Sequence, residues 1–243
     1  MALYIMFSLC CVLEFVFVPW FLKAMWPNPS KKSLVLKMIC ATLFVGVGVL
    51  SVFIADNHTE YAYTMLLGLA FGWIGDFFLH VNTTKTCFGI GFTSFLLGHI
   101  VYIISYMRAL RNIFPDYSSI NAVEICFAVG LCMIALVCYR KLGLDMPGVF
   151  VKVSMGSYFV ILDFMFVKAT ALGVNYLISG GEHGVIALLV LSIGSLCFLL
   201  SDVVLGIIMF GGQKKNYPIK IFNIVTYFAA QVLLASSILF IKG

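Results

Sequence analysis

Eight apolar stretches, each about as long as a bilayer core is thick, leave this 243-residue chain little length for anything else. They run over about 3–25, 33–54, 62–80, 88–107, 121–139, 149–171, 184–210 and 218–241. A helix satisfies its own backbone hydrogen bonds, so runs of this kind are read as membrane-spanning helices. They do not alternate between apolar and polar residues, which argues against a transmembrane β-barrel. Only 10% of residues are charged, against about 25% in soluble domains. The expected fold is all-α: a polytopic membrane helical bundle of about eight transmembrane helices, forming one domain over 1–243. The first stretch has no basic residue before it and no small-residue cleavage site after it, so it is read as a retained helix.

The net charge of +5 does not signal nucleic acid, because of where the charges lie. Lys23, Lys31, Lys32, Lys37, Lys85, Arg140, Lys141, Lys152, Lys214, Lys215 and Lys220 lie in or beside alternate connections. Arg108, Arg111, Lys168 and Lys242 fall on the other side. This asymmetry is the positive-inside pattern. It predicts cytoplasmic connections after helices 1, 3, 5 and 7, exoplasmic termini, and a basic face that attracts anionic headgroups of the bilayer. Of two glycosylation sequons, Asn57-His58-Thr59 is then exoplasmic but close to the membrane, and Asn82-Thr83-Thr84 is cytoplasmic and unmodified. The eight cysteines fall in the spans or at their ends, with no CxxC, and read as small hydrophobes.

Two spans carry an aspartate. Asp76 lies in Gly68-Leu-Ala-Phe-Gly-Trp-Ile-Gly-Asp-Phe-Phe-Leu79 and Asp202 in Gly194-Ser-Leu-Cys-Phe-Leu-Leu-Ser-Asp-Val-Val-Leu205. Each has a glycine eight residues before it, a small residue just before it and a leucine three after. A charge at mid-bilayer costs at least about 2.5–3.5 kcal/mol, so intramembrane carboxylates mark function. Both lie in the cytoplasmic half of their helices. The small residues Gly68, Gly72, Gly75, Gly194, Ser195 and Ser201 would let helices 3 and 7 approach each other. A four-plus-four duplication would explain the two similar segments, although the other helix pairs do not align convincingly.

Further polar residues recur at helical spacing. His99, Tyr102 and Tyr106 share a face of helix 4, and Asn223, Tyr227 and Gln231 form a stripe down helix 8. Glu14 and Asp163 lie within helices 1 and 6, whereas helix 5 has no strongly polar residue after Glu124 and is expected at the periphery. Such groups must face protein or water, so six helices pointing them inward describe a hydrated pocket open to the cytoplasm. Each group also has a plainer reading. The aspartates could make interhelical hydrogen bonds or pair with Lys37 or Lys152, and the helix 8 stripe could be interhelical glue. The histidines at 58, 80, 99 and 183 lie on different segments, so no metal site is expected. No cofactor fingerprint occurs.

With these residues in view, the chain resembles the YhhN-like membrane family, which includes the lysoplasmalogenases. The resemblance runs from about Ser33 to Ser237. It rests on Gly68–Leu79 with Gly75-Asp76, on Phe88–Tyr102 ending in His99-Ile-Val-Tyr102, on Gly194–Leu205 with Ser201-Asp202, and on Thr226-Tyr227-Phe-Ala-Ala-Gln231. Three positions depart from the family pattern: Lys32-Ser33-Leu34 stands where Lys-Pro-Leu is common, Asp163 where a small residue is expected, and Glu14 has no counterpart.

The resemblance implies hydrolysis of the vinyl-ether bond of a lysophospholipid, lysoplasmalogen, without cofactor, in the endoplasmic reticulum membrane. Asp76 and Asp202 would be catalytic, and Lys37, His99, Tyr102, Asn223, Tyr227 and Gln231 would bind substrate. The residue types suit that chemistry. Vinyl-ether hydrolysis needs one carboxyl that holds a proton and one carboxylate that opposes a developing oxocarbenium ion, a division of labour that glycosidases also use. Asp202 is the expected acid and Asp76 the carboxylate. Two rival classes remain open at this point: a proton-coupled transporter using the same carboxylates, and a non-catalytic scaffold. The oligomeric state is not legible.

Overall fold

The computed structural model describes residues 1–81, 84–118 and 121–242, so the Asn82 sequon lies outside the described residues at its first two positions. Its elements are eight helices: α1 (Ala2–Met25), α2 (Lys31–Ala55), α3 (Glu60–Val81), α4 (Lys85–Ile113), α5 (Ala122–Leu142), α6 (Gly148–Ile178), α7 (Gly184–Phe210) and α8 (Tyr217–Ser236), with a 3-10 turn over Ser237–Leu239. All eight are long and apolar enough to cross a membrane, and no strand occurs among the described residues. Local signals set their starts. Ser30 caps α2 in a reciprocal box with Ser33, Asn216 caps α8, and Pro218 occupies its first turn, where a missing N–H costs nothing.

Six helices, α2, α3, α4, α6, α7 and α8, pack in that order into a ring that α8 closes against α2. α1 lies outside, against α2 and α8, and among the described residues α5 touches no helix but α6. The peripheral place expected for α5 is thus observed. α4 and α6 run well past their expected ends, because their last turns still bury side chains. Ala109 and Leu110 on α4, and Leu172 and Tyr176 on α6, are all buried.

Helices α3 and α7 do not pack together, contrary to the expectation from their small residues. In lipid, small residues admit whichever neighbour arrives, and here those neighbours are α4 and α8. A Cβ at Gly68 would lie 2.3 Å from Tyr102, one at Gly72 2.7 Å from Gln231, and one at Gly194 3.0 Å from Leu233. The two aspartate-bearing helices therefore face each other across the interior of the ring.

The connections after α1, α5 and α7 meet at one end of the bundle. The Trp26 and Tyr217 rings lie 4.8 Å apart, and Asp145 N–H donates to the Phe210 carbonyl at 3.0 Å. At the other end Asn57 is buried, and its amide nitrogen donates to the carbonyls of Ile238 (2.8 Å) and Ile241 (2.6 Å). That nitrogen fastens the chain after α8 and is not available to a glycan. Lys168 also departs from expectation. It is a fully buried side chain of α6, with Nζ 2.5 Å from Glu124 Oε2 of α5, rather than a charge at a connection. The Tyr117 hydroxyl donates to the other oxygen of Glu124.

Candidate active site

A cavity of about 270 Å³ occupies the ring at its basic end. It runs inward from Met25, Pro29 and Lys220 to Asp76, Tyr227 and Asp202. Every ring helix contributes to its wall, and α1 adds Phe21 and Met25. The lining is largely apolar and aromatic, with Phe88, Phe92 and Phe95 of α4 on one side and Leu205, Ile208 and Met209 of α7 on the other. Ligand sites are built in this way, with few polar groups in an apolar wall.

Asp76 is buried and fixed on both oxygens. Lys37 Nζ of α2 lies 2.9 Å from Oδ1, and the Tyr227 hydroxyl of α8 donates to Oδ2 at 2.8 Å. Tyr227 is itself held by an aromatic surround: Phe228, Phe198 and Phe95 lie 5.0, 5.5 and 5.8 Å from its ring. Gln231 Nε2 donates to the Tyr227 oxygen at 3.0 Å, and its carbonyl accepts from Tyr102 at 3.3 Å. This chain, Tyr102–Gln231–Tyr227–Asp76, ties α4 and α8 to α3.

Asp202 has different company. Its Oδ2 accepts from the Tyr158 hydroxyl of α6 at 2.5 Å and lies 3.5 Å from His99 Nε2 of α4. His99 Nε2 is also 2.9 Å from the Tyr158 oxygen. With Tyr158 donating to the aspartate, its oxygen can accept from an Nε2–H, giving a relay from imidazole to phenol to carboxyl. His99 Nδ1 is buried with no hydrogen-bond partner. Asn223 reaches the wall beside Asp202, donating to the Ser201 carbonyl at 2.8 Å.

Of the residues singled out by sequence, Asp76, Asp202, Lys37, Asn223 and Tyr227 therefore line one cavity. His99, Tyr102 and Gln231 do not line it; they stand one layer behind, touching residues that do. The reason is depth along the helix. Asn223, Tyr227 and Gln231 share a stripe, but the cavity ends at Tyr227, and Gln231 sits a turn deeper under Gly72. Sequence reasoning missed Tyr158, which touches both Asp202 and His99. As one tyrosine among eleven, it did not stand out from its apolar run.

The two remaining intramembrane acids lie elsewhere. Both Glu14 oxygens are buried without a partner. Asp163 accepts from the Cys132 thiol of α5 at 3.4 Å, and its other oxygen is unpartnered. At the departure from the common Lys-Pro-Leu, the Ser33 hydroxyl lies 2.8 Å from His80 Nε2, at the cavity mouth. Among the described residues no three His, Cys, Asp or Glu side chains come together as a metal site would require.

Residues 32–238, most of the chain, match the family model described as YhhN family. No curated protein and no solved structure matches the chain.

Proposed function

Since the chain belongs to the YhhN family, we propose that it is a lysoplasmalogenase-like hydrolase. It would cleave the vinyl-ether bond of lysoplasmalogen to a fatty aldehyde and glycerophosphocholine or glycerophosphoethanolamine. The observation that carries this reading is a single apolar cavity with two carboxyl groups in unlike surroundings on its wall: Asp76 against a lysine, Asp202 against a tyrosine. Its volume of about 270 Å³ lies just below the roughly 300–1,000 Å³ of ligand pockets, which suits part of one alkenyl chain rather than two acyl chains. The aromatic lining would take the chain and the basic mouth the headgroup. The basic end is assigned to the cytoplasm, by the positive-inside pattern, and the membrane to the endoplasmic reticulum, by the resemblance.

In this mechanism Asp202 gives its proton to the vinyl carbon remote from the ether oxygen. The π electron pair forms the new C–H bond, and the positive charge spreads over the adjacent carbon and the oxygen. The Asp76 carboxylate opposes that charge. Water adds to the cationic carbon and returns a proton to Asp202, leaving a hemiacetal. Its carbon–oxygen bond then breaks to release the aldehyde and the glycerol hydroxyl. Tyr158 and His99 hold Asp202 in place, and Tyr227 holds Asp76.

The test is aldehyde release from lysoplasmalogen by purified protein in liposomes. Asp76→Asn and Asp202→Asn are each expected to lower release by about 10²–10⁴-fold, the usual worth of an acid or base group. Wild-type release from either variant refutes the two-carboxyl mechanism. No release from the wild type, together with proton-coupled solute flux, replaces this reading with the transporter.

A further inference from the structure

We infer that Lys37 is a switch between Asp76 and the phosphate of the substrate, so that the cavity acts on alkenyl lipids carrying a phosphate ester and idles on neutral ones. This rests on the vinyl-ether reading above and adds to it how the substrate's headgroup governs the chemical step.

The premise is a conflict in the resting site. A carboxylate that is to oppose a developing cation already has an ammonium 2.9 Å from one oxygen. At that range the two charges largely cancel, and a cation formed beside the pair meets a dipole instead of a negative charge. The ion pair must open, or be compensated, before Asp76 can do its work.

The cavity holds the means. Lys37 lies in the second turn of α2, on the wall, and its side chain is partly exposed (14%) whereas that of Asp76 is not (2%). A four-carbon stem lets its ammonium swing toward the mouth. There Lys220, in the first turn of α8, stands 5.4 Å from the Trp26 ring and also lines the cavity. Both lysines sit near helix N-termini, whose positive ends add to their field. The other ionisable groups on this wall are His80, engaged by Ser33, Asp202, engaged by Tyr158, and the phenols of Tyr158 and Tyr227 that donate to the two aspartates. An anionic phosphodiester between Lys37 and Lys220 would take charge-assisted hydrogen bonds from both. Asp76 would not drift once released, because Tyr227 still holds its Oδ2 at 2.8 Å. Binding energy from the headgroup is thereby used at the reacting bond, which appears in kcat as well as KM.

The experiment compares 1-alkenyl-glycerophosphocholine with 1-alkenylglycerol, the same vinyl ether without phosphate, on the full-length protein in nanodiscs. The switch predicts that the neutral substrate loses roughly tenfold or more in kcat, beyond any change in KM. Inorganic phosphate or glycerophosphocholine added in trans should restore part of that kcat saturably, and Lys37→Gln should abolish the restoration. Equal kcat for the two substrates, or no activation in trans by either anion with wild-type protein, overturns the switch while leaving the hydrolase reading intact. Cleavage of neither substrate overturns the hydrolase reading and the switch with it. Because activation in trans is read on the wild type, the outcome does not depend on Lys37→Gln folding.

Discussion

The Lys168–Glu124 pair makes a prediction whose size depends on which partner is removed. Among the described residues α5 packs against α6 alone, and this buried ion pair joins the two. Breaking a buried ion pair by deleting one member costs about 3–5 kcal/mol, because the survivor is left charged and dry. The two survivors differ in their escape. Glu124 lies in the first turn of α5, keeps its hydrogen bond from Tyr117, and can turn toward the headgroup region. Lys168 is fully buried and ten residues from the end of α6, about 15 Å along the axis, beyond the reach of its own side chain; without Glu124 its ammonium keeps neighbours such as the Tyr117 and Phe164 rings, at 5.6 and 5.4 Å, but has lost its carboxylate. Glu124→Gln should therefore cost about 3–5 kcal/mol, and Lys168→Met only about 1–2 kcal/mol. The double change Glu124→Leu with Lys168→Met should recover most of the loss, since neither charge remains to be desolvated. Thermal or denaturant unfolding in detergent gives the ordering. Hydrogen exchange over 122–142 shows whether α5 is the part that loosens. Equal losses in the two single variants, or a double variant no better than Glu124→Gln, would refute the reasoning.

Asp76→Asn bears on stability as well as activity. A buried aspartate considered alone predicts that the amide holds or improves stability, but the partnership with Lys37 reverses this. The variant should lose about 1–3 kcal/mol, and Lys37→Met on top of it should restore melting temperature without restoring aldehyde release. Tyr158→Phe removes the donor to Asp202 and should lower kcat by about 10-fold or more with little change in KM; an unchanged kcat would make the contact structural only. Gly68→Leu drives a side chain into Tyr102 and should dislodge the chain that reaches Asp76, lowering activity at least as much as Tyr102→Phe does. Asn57→Gln should leave electrophoretic mobility unchanged because no glycan is present, whereas Asn57→Ala should cost about 1–3 kcal/mol by leaving two buried carbonyls unpaired. Tags at both termini should be reached only from the exoplasmic side; a cytoplasmic carboxy terminus would reverse the assigned orientation.

The spans and the two aspartates were legible because a charge in an apolar run is conspicuous and expensive. Lys37 is legible as a partner for Asp76, and the structure both pairs them and places the lysine on the cavity wall. What sequence could not supply was adjacency. Gly68, Gly72 and Gly75 announce a close neighbour without saying which, so α3 was expected against α7 rather than against α4 and α8. Tyr158 escaped notice because tyrosine belongs equally to apolar and polar surroundings. Lys168 falls near a connection if the span ends at about 171, but the apolar run and the helix both continue to Ile178. The stripes on α4 and α8 gave the correct faces but not the depth at which the cavity ends, which is why His99, Tyr102 and Gln231 stand behind its wall.

The closure of the ring by α8 has a consequence for biosynthesis. Seven helices are translated before the one that carries Tyr227 and Asn223. Until then Asp76 lacks its phenol, Asp202 lacks its neighbour Asn223, and no cavity exists between them. The nascent chain nevertheless has to carry Asp76 in lipid from the third helix onward. Lys37, on the adjacent helix made just before, can cancel that charge within a single helical hairpin. The pairing therefore needs only α2 and α3 and does not wait for the ring to close. The cavity is complete only when α8 slots between α2 and α7, so the two acids come to share one wall at that point and not before.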